Sequence, residues 1–172
     1  MKPSTALVAT SVTLRTLIVF NWIFGALIFT LLAMSFAAEE WIWRALGVGA
    51  ITGHESVVAG MRAIMVIGIV GTPMSYVVFS RLLKIVESVR TGEPFTMDNA
   101  GRLQTIAWAM LGLEVLHICV VAIASAVSTK EVPLRINGNL HVTAWIAILM
   151  LFVLAQVFHE GTRMREDLEG TV

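Results

Sequence analysis

The chain has 172 residues, 57% of them hydrophobic and only 14% charged, with twelve basic and twelve acidic side chains and zero formal charge. Soluble domains lie nearer about 45–50% apolar and about 25% charged, and a chain this short has too little interior to hide such an excess from water. The balanced charge excludes bulk attraction to nucleic acid, and there is no basic tail to supply it.

The apolar residues gather in four stretches, at 16–38, 57–83, 103–127 and 140–158. An apolar run of about 20 residues matches the hydrocarbon thickness of a bilayer when wound as a helix. The expectation is an all-α fold: one integral membrane domain over residues 1–172, built as a bundle of four transmembrane helices. Mean hydropathy, +0.82, agrees. Cys119 is the single cysteine, so no disulfide can form within the chain.

In the first stretch, Lys2 and Ser35-Phe36-Ala37 imitate a leader peptide. The apolar core between them is about 20 residues, longer than the roughly 7–15 of a leader's apolar region, which predicts a retained spanning helix. Glu39-Glu40 stops it. Trp41-Ile42-Trp43 and a glycine-rich stretch to Gly53 follow. Tryptophan favours the headgroup level, so a surface loop or short interfacial helix is expected there.

The second stretch holds Gly68, Gly71 and Pro73. Proline kinks helices, but spanning helices tolerate it. Leu82, Ile85, Val86 and Val89 recur at helical spacing and carry the helix beyond the apolar run until Gly92 and Pro94 stop it. Thr96 or Asp98 can cap the third helix. After it, Asn137-Gly138 reads as a hairpin turn. The fourth helix ends near His159 and leaves a polar tail, residues 159–172.

Cations set the expected orientation. Eight lie in the N-terminus, the 84–102 loop with its flank, and the tail, whereas Arg44, Lys130 and Arg135 share the other two loops. The positive-inside rule then puts both termini and the 84–102 loop in the cytosol.

Glu87-Ser88-Val89-Arg90-Thr91-Gly92-Glu93-Pro94-Phe95, followed by Asn99 and Arg102-Leu103, and the tail from Leu154 to Val172 resemble a bacterial membrane-protein family of unknown function, DUF2975. The distinctive loop positions are Gly92, Pro94, Phe95, Asn99 and Arg102. Members often end in an unbroken Asn-Asp-Leu-Thr-Val; here Glu169-Gly170 follows Leu168. The resemblance implies a four-helix inner-membrane protein, often encoded beside a small helix-turn-helix regulator, and implies no catalytic residues.

Within the apolar stretches, Glu114 and His117 lie three residues apart on one helical face. Arg62 falls at nearly the depth of His117 and within roughly 6 Å of that of Glu114, counting 1.5 Å per residue. An ionisable group at bilayer depth costs at least about 2.5–3.5 kcal/mol and turns inward to a partner, so an interior cluster of Arg62, Glu114 and His117 is expected. It serves either as a structural ion pair or as a proton-responsive or ligand-binding site. Glu114-x-x-His117 supplies half of a bundle-type metal pattern, but no second half exists. No metal, haem or other cofactor is expected, and no Walker loop, dinucleotide fingerprint, HExxH or nucleophile elbow is present.

Together with these features, the resemblance implies a non-enzymatic inner-membrane sensor or regulatory protein acting through a cytosolic helix-turn-helix regulator, with docking residues Arg163, Arg165, Asp167 and Leu168 in the tail. The competing expectation is a small transporter or channel-like subunit, a homo-oligomer with Arg62, Glu114 and His117 along its pathway.

Overall fold

A computed structural model describes residues 5–47, 55–129, 134 and 142–169, with side chains as far as 164. The described residues form five helices and no strand: α1 (Thr5–Ala37), α2 (Glu39–Ala45), α3 (Glu55–Thr91), α4 (Met97–Val127) and α5 (Val142–Glu169). All but α2 are long and apolar enough to cross a membrane. The expected turn at Asn137-Gly138 and residues 48–53 lie outside the described residues, as do His54 and His141.

The chain packs as two compact units. The first comprises Met1–Phe20, Met74–Gly112 and His141–Val172. Its interior includes one face of α4, where Ala100, Leu103, Ile106 and Ala107 recur every three or four residues and are buried, together with Leu14 of α1 and Ile148 and Ala155 of α5. On the same helix Trp108 meets Phe152 of α5 edge to face, with ring centroids 5.2 Å apart. The α5 helix does not end near His159 but continues through the polar tail to Glu169, so the tail is helical as far as Glu169 rather than a separate element.

The second unit comprises Asn21–Pro73 and Leu113–Leu140. Its core is Ile42, Trp43, Val57 and Val58, with Leu31, Met34, Met61, Met65 and Leu134 packed on it. Both Ile42 and Trp43 belong to α2, and the Trp43 side chain is fully buried while Trp41 stays exposed. The expected short helix is therefore present, but only Trp41 has the exposure of a headgroup-level aromatic; Trp43 is a core residue.

Close helix approaches in this unit depend on missing side chains. A Cβ on Gly25 would lie 2.6 Å from Thr72 Cγ2, and one on Gly60 would lie 2.5 Å from Val127 Cγ2. Beside Gly25, Asn21 Nδ2 donates to the Thr72 carbonyl at 3.0 Å. Helix α3 runs through Pro73 without a break, although proline withholds one backbone donor from the ladder.

Candidate functional site: a latched corner and a capped arginine

The turn between α3 and α4 is specified residue by residue. Gly92 has φ +90°, a left-handed conformation that glycine adopts without a Cβ clash. Its N–H donates to the Val89 carbonyl at 3.2 Å, and the next N–H, of Glu93, to the Ser88 carbonyl at 3.1 Å. This paired 6→1 and 5→2 closure is the Schellman motif. Two residues past Pro94, Thr96 caps α4, its Oγ1 accepting from Asn99 N at 3.2 Å. Thr96, not Asp98, is the cap; Asp98 instead faces Arg102 at 3.5 Å.

Asn99 ties the two helix ends together. It is fully buried. Its Nδ2 donates to Ser88 Oγ at 2.6 Å and to the Pro94 carbonyl at 2.8 Å. Its Oδ1 accepts from Arg102 Nη1 at 2.8 Å, and the same nitrogen reaches the Lys84 carbonyl at 3.4 Å. Every hydrogen-bonding position of the carboxamide but one lone pair is thus engaged, which satisfies a buried polar side chain. Phe95 stacks at 5.0 Å, tilted 36°, on Phe158 of α5 while remaining half exposed. All five loop residues picked out by resemblance, Gly92, Pro94, Phe95, Asn99 and Arg102, therefore take part in one corner. Ser88 and Thr96 complete it; no spacing rule singles out Ser88.

In the other unit, Arg62 of α3 reaches the junction of α1 and α2. Its Nη2 donates to Glu39 Oε1 at 2.8 Å and to the Ser35 carbonyl, and its Nε donates to Ser35 Oγ at 3.2 Å. The guanidinium carbon lies 4.1 Å from the centre of the Phe36 ring and 5.7 Å from that of Trp43. Ser35 and Trp43 are fully buried. The fixed fork of arginine suits a combined carboxylate, carbonyl and aromatic cage better than lysine would. Arg62 is thus coupled to Glu39 across the α1–α2 junction.

Of the three residues expected to cluster, Arg62 has Glu39 as its carboxylate partner. Glu114 Oε1 is buried with no hydrogen-bond partner among the described residues. His117, one turn along α4, lines a shallow apolar groove with Gly68 and Gly71 of α3. These groups stand at similar levels along their helices, but Glu39, at the start of α2, comes within reach of Arg62 at the α1–α2 junction. Among the described residues no group of three His, Cys, Asp or Glu side chains is placed to hold a metal ion. In the tail, Arg163 is exposed; the side chains of Arg165, Asp167 and Leu168 lie outside the described residues.

A chain with four helices long and apolar enough to cross a membrane has the construction of a multi-pass membrane protein. It belongs to the family described as protein of unknown function DUF2975, which it matches over residues 32–172. No curated protein and no solved structure matches the chain.

Proposed function

We propose that this chain is a non-enzymatic sensor or regulatory protein of a bacterial inner membrane, crossing it four times, with both termini and the α3–α4 corner on the cytosolic side. The observation that carries the reading is the Asn99-centred corner. Its buried polar groups fix the backbone and leave Arg90, Glu93, Phe95, Met97 and Asp98 exposed around it. A rigid, mixed charged and apolar surface is pre-organised for a protein partner, because little ordering entropy is lost on docking. The family's association with helix-turn-helix regulators gives the partner's class, and the helical tail carrying Arg163 supplies a second contact. Affinity purification from native membranes tests this: deletion of 163–172, or Phe95→Asp at the corner, should abolish capture of a DNA-binding regulator. Undiminished capture by both variants contradicts it.

A second reading has its own support. Glu114 Oε1 is a buried acceptor without a donor among the described residues, and such groups within apolar helices often mark ion or proton pathways. An oligomeric transporter or channel-like subunit would use Glu114 and His117. A defined oligomer in nanodiscs whose ion flux disappears in Glu114→Gln would favour it over regulation.

A further inference from the structure

Within the first unit, α4 and α5 border an open groove of about 550 Å³ that shares only Met97 with the exposed surface of the corner. Each helix presents one continuous stripe to it: positions 97, 100, 101 and 104 of α4, and 152, 155, 156 and 159 of α5. Both sets follow the i, i+3, i+4, i+7 spacing of a single helical face. The volume falls within the roughly 300–1,000 Å³ of small-molecule sites.

The chemistry of the lining is selective. Gln104, Gln156 and His159 bring two carboxamides and an imidazole to the lining, and all three are exposed. Each carboxamide brings two N–H donors and an acceptor oxygen to the groove. Met97, Phe152 and small residues form the rest of the wall, and no Asp, Glu, Lys or Arg lines it. An ion would find no compensating charge there, whereas an uncharged head with acceptor oxygens would find carboxamide donors and an aromatic wall.

We propose that this groove binds a flat, uncharged, carbonyl-bearing amphiphile of the quinone type drawn from the membrane. Its ring lies against Phe152 and its oxygens accept hydrogen bonds from Gln104 and Gln156. The proposal deepens the sensor reading by giving it an effector. Binding is nevertheless measurable without any protein partner, so failure of one does not entail failure of the other.

The test uses the full-length protein in phosphatidylcholine nanodiscs titrated with decylubiquinone. Trp108 reports on the site because its ring touches Phe152. Saturable quenching of tryptophan fluorescence is expected, and Trp108→Phe should remove the saturable component. Gln104→Leu with Gln156→Leu should weaken binding about tenfold or more. Gly101→Leu plugs the groove, and a Cβ at Gly101 meets nothing within 4 Å, so this variant should fold and lose binding. Quenching that rises linearly with probe and is the same in all variants would mean simple partitioning into lipid and would overturn the proposal. Saturable binding that survives Gly101→Leu in a folded protein would overturn it as well.

Discussion

Arg102 and Asn99 stand one turn apart on α4, and the guanidinium of Arg102 donates to Asn99 Oδ1 at 2.8 Å. That contact aims the other end of the carboxamide, so Nδ2 reaches Ser88 at the end of α3 and Pro94 in the turn. One buried side chain thereby couples two helix termini that would otherwise be joined only by a five-residue link, residues 92–96.

Asn99→Ala removes the shared partner of Ser88, Pro94 and Arg102. Leaving buried polar groups unpaired costs about 1–3 kcal/mol. Thermal unfolding in detergent should show a clear fall in midpoint for Asn99→Ala and a comparable one for Asn99→Leu, because neither restores the network. A midpoint equal to wild type in both variants would mean the network contributes nothing.

Arg62 and Glu39 should show energetic coupling. Their side chains are 24% and 43% exposed, so the ion pair is partly screened and its own worth is small, at most about 1 kcal/mol. The Ser35 hydrogen bonds and the Phe36 and Trp43 rings add to the loss in Arg62→Ala. That variant should therefore be markedly less stable than Glu39→Gln, and Arg62→Lys should fall between them. A double-mutant cycle on Arg62 and Glu39 should return a small favourable coupling; zero coupling would show that the pair contributes nothing beyond its separate contacts.

Gly25→Ala should destabilise the second unit. The added methyl meets Thr72 Cγ2, a stiff β-branched group that cannot swing away freely. Overpacking of this kind costs typically about 1–3 kcal/mol. Combining it with Thr72→Ser removes the struck methyl and should recover part of the loss. A stabilised Gly25→Ala single variant, as expected for an open helix surface, would contradict the close approach.

The helix count and the corner were legible in the sequence because both depend on local chemistry. Apolar run length marks the long helices, and Gly92, Pro94 and Thr96 mark the stop and restart between α3 and α4. The extension of α3 beyond its apolar run was readable from Leu82, Ile85, Val86 and Val89. The partner of Arg62 was not, because depth counting treats helices as parallel rulers and overlooks residues brought back by the sharp α1–α2 junction at Ala38. The burial of Trp43 was also hidden, since alternating exposure of Trp41 and Trp43 emerges only when α2 folds against α3. The α4–α5 groove has no local signature at all: Gln104 and Gln156 are distant in sequence, and nothing about either residue alone points to the other.

The most direct test of the account is the side of the membrane on which its corners lie. Cys119 is the single native cysteine, so Cys119→Ala gives a background for Glu93→Cys in the α3–α4 turn and Arg44→Cys in α2. Both positions are exposed. In intact spheroplasts treated with a membrane-impermeant maleimide, the Arg44→Cys protein should label at once, and the Glu93→Cys protein only after permeabilisation. Labelling of both in intact spheroplasts, or the reverse pattern, would contradict a four-span protein with a cytosolic docking corner.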